Sequence, residues 1–226
     1  MMLVIPDVLT QQELVEMRLL LEQAQWHDGR ETAGYVAMRQ KCNTQLRVQD
    51  ETAIRLGRIV LHALSRNARF IAFALPLKIL SPMFNCYRNG GEYGFHIDNA
   101  IRIDPVSGLQ IRADISTTVF LNNPDEYDGG ELIINDTYGV EKLKLPAGYA
   151  AVYPGTSLHR VSPVTRGYRL ASFFWTQSMV QDDVRRAILF ELDNAVQCLA
   201  QRPENDAEVM RLTGVYHNLT RQWAQT

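Results

Sequence analysis

The sequence predicts an α+β fold in which a β-sandwich or jelly roll is flanked by helices on its N-terminal side and by a helical hairpin on its C-terminal side. Apolar residues recur with a helical period up to about residue 66. From about residue 70 the pattern changes to short runs rich in β-branched and aromatic residues, eight of them between 78 and 177, separated by Gly, Asn and Pro turns. The helical period returns at Asp182. A doubly wound parallel sheet needs a helix between successive strands, and the intervening segments are too short to hold one.

The first expected helix covers 10–26. Thr10 and Glu13 have capping-box spacing, and Leu14, Met17, Leu20 and Leu21 share a face. Residues 28–49 are polar, contain Gly29 and Gly34, and show no period. A second helix is expected over 50–66, with Asp50 as its cap and Ala53, Ile54, Val60, Leu61 and Leu64 as its stripe. Gly57 falls within that stripe at a cost of about 1 kcal/mol relative to Ala. The expected strands are 78–87, 93–98, 113–121, 130–135, 140–145, 150–153, 158–163 and 169–177. Asn89-Gly90-Gly91, 105–108, Asn122-Asn123-Pro124, Asp128-Gly129-Gly130, 146–148 and Arg166-Gly167 supply the turns. In the tail, Val184, Ile188, Leu192, Val196 and Leu199 form a stripe, Pro203 breaks it, and a last helix follows over about 205–224. Arg185 and Arg186 read as a solvated helix face. Three regions result: an N-terminal support of 1–77, a β domain of 78–178 and a helical extension of 179–226, whose amphipathic helices offer a possible oligomer face.

Composition narrows the function classes. Of 226 residues, 46% are hydrophobic and 21% charged, which excludes a disordered or low-complexity chain. Lys and Arg number 23 against 25 Asp and Glu, so no basic excess points to nucleic acid or an anionic membrane. Cys42, Cys86 and Cys198 are odd in number, far apart and without a C-x-x-C pair. That argues against a disulfide scaffold or zinc ribbon and for a reducing, cytoplasmic setting, each cysteine being a small buried apolar residue. Pro6 and Asp7 follow the start at once, so no signal peptide is expected, and the longest apolar run, 70–75, is too short for a membrane span.

The chemistry gathers in the β region. His96-Ile97-Asp98 places an imidazole and a carboxylate two residues apart at the end of an expected strand, where both would share a face. His159 follows in another strand, and Arg169 lies ten residues beyond it. A hairpin of 158–163 with 169–177 would pair Ser162 with Tyr168, setting His159 opposite Ala171 and diagonal to Arg169. Two histidines and one carboxylate on one side of a metal leave three positions open, the facial triad of non-haem Fe(II) oxygenases. A 2-oxo acid can chelate through two of these positions and O2 can take the third. The far carboxylate of the oxo acid then needs a partner, and the planar fork of an Arg suits it. The competing reading is a hydrogen-bonded strand-end pair at His96 and Asp98, a structural ion pair at Arg169, and core packing at Tyr87 and Trp175. His27, His62 and His217 have no ligand-like company and read as surface or packed residues. Asp125, Glu126 and Asp128 read as a polar loop near the cavity mouth.

This pattern resembles the Fe(II)/2-oxoglutarate dioxygenases of the prolyl/lysyl hydroxylase type. Asn85-Cys86-Tyr87 lies upstream of His96, Leu121-Asn122 ends a middle strand, Asp128-Gly129-Gly130-Glu131-Leu132 opens the next, and Trp175 closes the last. With its helical tail the whole chain looks like the bacterial PKHD-type hydroxylases, a group linked to iron uptake. The resemblance implies a double-stranded β-helix core and an enzyme that couples oxidative decarboxylation of 2-oxoglutarate to succinate with hydroxylation of a substrate. His96, Asp98 and His159 would bind Fe(II), Arg169 would bind the side carboxylate of 2-oxoglutarate, and Tyr87 would touch the oxo acid. Ascorbate would serve as accessory reductant. An intact Asp98 favours hydroxylation over halogenation, since related halogenases have a small residue there. Phe120 departs from the animal prolyl hydroxylases, which tend to have an aromatic hydroxyl at that point.

Two other functions fit the same residues: a non-catalytic sensor of iron or 2-oxoglutarate on this scaffold, and a cupin-like metalloenzyme working without an oxo acid. The substrate, a small molecule or a peptide, is not legible. The segments 28–49 and 99–112, the latter with Arg102 and Arg112, are the expected mouth elements.

Overall fold

The computed structural model describes residues 1–32, 40–104, 107–136 and 139–225. Gly34, within the polar 28–49 segment, and the first half of the expected 105–108 turn lie outside the described residues.

Helix α1 (Gln11–Glu22) starts at the expected capping box: Glu13 N donates to Thr10 Oγ1 at 3.2 Å, and Thr10 N donates to Glu13 Oε2 at 2.8 Å. Two amides that a helix start leaves without partners are thereby satisfied. Helix α2 (Glu51–Ser65) follows Asp50, whose side chain makes no capping hydrogen bond. Its buried face is Ala53, Leu56, Gly57, Val60, Ala63 and Leu64, so the expected stripe is rotated and Ile54 and Leu61 sit at its margins. Gly57 lets Pro82 pack close, since a Cβ there would lie 3.4 Å from Pro82 Cδ. A third helix, α3 (Ala68–Ala74), occupies the 70–75 run, where the sequence gives no helical expectation. A short, wholly apolar run has no period to read. The local signal is Asn67, whose Oδ1 accepts from Phe70 N at 2.9 Å.

Beyond α3 the chain alternates between two antiparallel sheets. Among the described residues the larger sheet has eight strands. Their order is Leu3–Ile5, Ala150–Pro154, Ile115–Phe120, Tyr168–Ser178, Met83–Arg88, Thr44–Gln45 and His27–Asp28, with Pro76–Ile79 also paired to Tyr168–Ser178. The smaller has five strands, ordered Gly139–Leu143, Leu132–Asp136, Leu158–Val161, Glu92–His96 and Lys41–Cys42. Passing from one sheet to the other and back winds the chain into a double-stranded β-helix, or jelly roll. The expected strand 78–87 is two strands broken at Leu80-Ser81-Pro82, and the expected loop 99–112 holds a hairpin of Ile101–Ile103 with Gln110–Arg112. The expected hairpin between 158–163 and 169–177 does not form. Leu158–Val161 pairs with Leu132–Asp136 and Glu92–His96, whereas Tyr168–Ser178 pairs with Met83–Arg88 and Ile115–Phe120. The intervening segment, including the short strand Val164–Arg166, carries the chain from the small sheet to the large one.

Helices α1 to α3 cover one face of the large sheet. Met17, Leu21, Val60 and Phe70 pack there on Phe84, Val119 and Phe174. In the tail, α4 (Asp183–Leu199) is capped by Asp182, whose Oδ1 accepts from Arg185 N at 2.8 Å, and α5 (Asp206–Trp223) folds back along it. Phe190 of α4 meets Phe73 edge-on at 5.2 Å. The buried face of α4 is Arg186, Leu189, Phe190 and Val196, so Val184 and Ile188 point to solvent and the expected stripe is again rotated. Arg186 is buried rather than solvated: it donates to the carbonyls of Val180 and Gln181, each at 2.7 Å, and pairs with Asp183. Of the cysteines only Cys86 is buried; Cys42 and Cys198 are exposed.

Candidate active site

His96 closes the strand Glu92–His96 and pairs across the small sheet with His159, so the two imidazoles lie side by side with ring centroids 4.2 Å apart. Asp98 lies beyond the strand end, so the strand alternation expected from His96-Ile97-Asp98 does not place it. The irregular segment after the strand does: Asp98 Oδ1 is 3.9 Å from His96 Nε2, and Oδ2 is 3.8 Å from His159 Nε2. The three ligand atoms lie within 4.8 Å of one another.

The surroundings aim these atoms inward. His96 Nδ1 is 2.8 Å from the carbonyl of Gly94, and His159 Nδ1 is 3.0 Å from that of Ser157. A carbonyl oxygen can only accept, so each Nδ1 carries the proton and each Nε2 presents a lone pair to the centre. Tyr93 stacks on His96 at 3.6 Å, and Tyr153 meets His159 edge-on at 5.2 Å. Burial and the neighbouring His159 push His96 below the ordinary imidazole range. Burial opposes the charge on Asp98, but His159, Ser116, Trp175 and His96 outweigh it and hold the carboxyl below the usual carboxylate range. Ser116 Oγ donates to Asp98 Oδ2 at 2.6 Å.

Arg169 enters the same cavity from the large sheet, opposite the triad rather than beside it. It is 1% exposed, and its Nε and Nη2 have no hydrogen-bond partner. Its guanidinium lies 5.0 Å from the Phe120 ring and 5.6 Å from that of its strand neighbour Tyr87. Burial pushes the Tyr87 phenol up to about 12, so it stays protonated and able to donate. Asp128-Gly129-Gly130 explains itself here: Gly130 has φ +66°, and a Cβ on it would come within 3.1 Å of Arg169 Cδ. A buried guanidinium without an anion is costly to fold. The donor set of two imidazoles and one carboxylate fits Fe(II), and the orphaned Arg169 fits the free carboxylate of a bound oxo acid.

The cavity opens to solvent and is walled by side chains of both sheets. Lys41 and Arg102 also line it. Lys41, Ser116 and Tyr153 were not legible as site residues, because each is brought in by sheet pairing rather than by spacing along the chain, and Tyr93, on the strand of His96, reads as an ordinary aromatic strand residue. His27, His62 and His217 do not line the cavity. Glu126 is held by Arg18 at 2.6 Å, and Asp128 by Arg166 at 2.7 Å, so both are structural. Arg112, an expected mouth residue, is taken by Asp114 at 2.6 Å.

This site on this fold defines the class of Fe(II)- and 2-oxoglutarate-dependent oxygenases. Residues 82–177 match the 2OG-Fe(II) oxygenase superfamily, and residues 183–225 match the PKHD-type hydroxylase C-terminal domain. The chain belongs to the PKHD-type hydroxylase family. It is 54% identical to a PKHD-type hydroxylase of Nitrobacter winogradskyi and 53% identical to one of Saccharophagus degradans, over the full length of all three chains. The same fold occurs in a Pseudomonas putida prolyl-4-hydroxylase (TM-score 0.52, 18% identity, 78% of this chain and 92% of that one). It occurs again in a Trichoplax adhaerens prolyl hydroxylase in complex with a hypoxia inducible factor peptide fragment (TM-score 0.54, 21% identity, 83% and 86%). The chain is therefore an oxidoreductase that uses Fe(II), 2-oxoglutarate and O2.

Proposed function

We propose that His96, Asp98 and His159 bind the catalytic iron, that Arg169 binds the far carboxylate of 2-oxoglutarate, and that Tyr87 donates to the oxo acid. The observation that carries this reading is the pairing of a pre-aimed triad with a buried guanidinium whose Nε and Nη2 lack partners across one cavity. When bound, iron and 2-oxoglutarate supply the oxidation: the oxo acid loses CO2 to become succinate, and one oxygen atom of O2 enters a substrate C–H bond. The chain's own residues do the rest. The two Nδ1–H···O=C contacts fix the imidazole tautomers, Ser116 orients Asp98, and Arg169 sets the direction of the oxo acid.

A cupin-like metal site without an oxo acid leaves Arg169 with no partner, which disfavours it. Ascorbate as accessory reductant belongs to the proposal through the family resemblance. The exposed thiols of Cys42 and Cys198 support a reducing, cytoplasmic setting, and the solvent-facing Val184, Ile188, Met210 and Val215 support association through the helical tail. No described helix is long and apolar enough to cross a membrane. We read the chain as a support region of 1–77, the catalytic domain of 78–178 and the extension of 179–226. Succinate production from 2-oxoglutarate tests the reading: it should require Fe(II) and vanish in Asp98→Ala. Succinate formed equally by Asp98→Ala would refute the assignment.

A further inference from the structure

The strand Ile101–Ile103 is patterned inside out. Neighbouring residues of a strand point to opposite faces, and the usual arrangement buries the apolar ones. Here Ile101 is 51% exposed and Ile103 65% exposed, while Arg102 between them turns inward. Its guanidinium stacks on the indole of Trp175 at 3.7 Å. Stacking on an aromatic face fixes the plane of the fork and leaves its edge N–H donors available. Such inversions of a local rule mark sites where a ligand supplies the compensation.

Three further observations bear on that ligand. Among the described residues Arg102 has no ion-pair or hydrogen-bond partner, and the carboxylate whose charge acts on it is Asp98, already engaged by Ser116 and facing two histidines. Lys41 stands near enough for the two positive charges to interact, so this side of the cavity is cationic. Arg102 and Trp175 also wall a second hollow beside the cavity, lined by Val48, Leu80, Met83 and Ile103 and, where the hairpin is anchored, by Ser81 and Asp104. The hairpin carrying Arg102 is anchored: Ser81 Oγ donates to the buried Asp104 at 2.7 Å, and Ala113 N donates to Ala100 O at 2.8 Å.

We propose that Arg102 is the substrate's anion anchor, so that the enzyme acts on molecules that set a carboxylate on Arg102, over Trp175, and lay an apolar body along the hollow of Val48, Leu80, Met83 and Ile103. Arg169 is then reserved for the oxo acid and Arg102 for the substrate. This rests on the cavity being the 2-oxoglutarate site proposed above. The carboxylate of a free amphipathic acid and that at the C-terminus of an apolar peptide offer Arg102 the same chemistry.

The test uses the full chain under anaerobic conditions, saturated with Fe(II) and 2-oxoglutarate, and reads binding by ligand-observed NMR. The probes are N-acetyl-L-leucine, N-acetyl-L-phenylalanine and N-acetyl-Ala-Ala-Leu, each beside its C-terminal amide. The acids should bind about tenfold more tightly than the amides, as a charge-assisted bidentate contact requires. Arg102→Gln should erase that preference, and Arg102→Lys should keep part of it, while 2-oxoglutarate affinity stays within about twofold in both, since neither touches Arg169. Tighter binding of the tripeptide than of the single amino acids assigns the anchor to peptides, and the reverse order to free acids. An equal response to acid and amide, including no binding by either, overturns the proposal. So does an acid preference that survives in Arg102→Gln, which places the carboxylate on the metal instead. Failure of 2-oxoglutarate itself to bind is a separate result that strikes the parent reading.

Discussion

The two faces of the large sheet carry the same backbone and opposite chemistry. Along Ile115–Phe120, Ile115 and Val119 look toward the helices, whereas Ser116 and Thr118 look into the cavity. Along Tyr168–Ser178, Leu170 belongs to the helix-side core, while Arg169 and Trp175 line the cavity. Met83–Arg88 repeats the division, with Phe84 and Cys86 on one side and Asn85 and Tyr87 on the other. The helix face is mainly apolar, so it holds the fold, although Thr117, Ser172 and Thr176 lie on it with buried hydroxyls that make no hydrogen bond. The cavity face buries polar groups without hydrogen-bond partners: Arg169 Nε and Nη2 and Asn85 Oδ1. Stability is invested on one side of the sheet and function on the other, and substitutions should separate them.

The largest effect on stability should come from the helix face. Phe84→Ala removes a fully buried ring and is expected to cost about 3–5 kcal/mol in urea unfolding of the ligand-free protein. A loss below about 1 kcal/mol would mean that this face is not the structural one. On the cavity face the sign should reverse. Arg169→Met replaces a buried charge whose Nε and Nη2 lack partners with an apolar side chain of similar length, so the ligand-free protein should gain about 1–3 kcal/mol while 2-oxoglutarate binds more weakly. Unfolding at higher urea together with calorimetric titration of 2-oxoglutarate checks both halves.

Ser116→Ala leaves the fold alone and removes the hydrogen bond to Asp98. Fe(II) affinity should fall about 10–100-fold, the usual effect of losing a group that orients a ligand. The smallest effect is on pH dependence. Burial and His159 lower the affinity of His96 for a proton in the folded chain, so as pH falls below 6.5 the unfolded chain protonates first. The contribution of His96 to ligand-free stability is therefore present above that pH and lost progressively below it. Urea midpoints across pH 4 to 8 measure this, and His96→Gln should flatten that limb of the curve.

Much of the site was legible because its residues recur at spacings along the chain: His96 with Asp98, then His159, then Arg169. Their spatial relation was not. The interval between His159 and Arg169 looks like a hairpin, yet it is a crossing between sheets, and spacing alone does not distinguish a chain that turns back from one that changes layer. The same difference hid Lys41, which meets the site through pairing of Lys41–Cys42 with Glu92–His96. Helix α3 was missed because a wholly apolar run has no period. The stripe of α4 was misplaced because Arg186 takes a buried position by satisfying itself on the carbonyls of Val180 and Gln181, an arrangement that hydrophobic patterning cannot anticipate. Arg102 sat in an expected loop, and only its inward turn between two exposed isoleucines gives it meaning.

The central claim is that the triad and Arg169 form one site for a metal and an oxo acid. It is tested most directly by anaerobic visible absorption of the protein with Fe(II), before and after 2-oxoglutarate. A chelated Fe(II)–oxo acid pair gives a weak charge-transfer band that neither component shows alone. The band should appear with the unaltered chain, vanish in His96→Ala and weaken in Arg169→Met. A folded protein that holds Fe(II) without the band, or a band unchanged in both variants, would contradict the account.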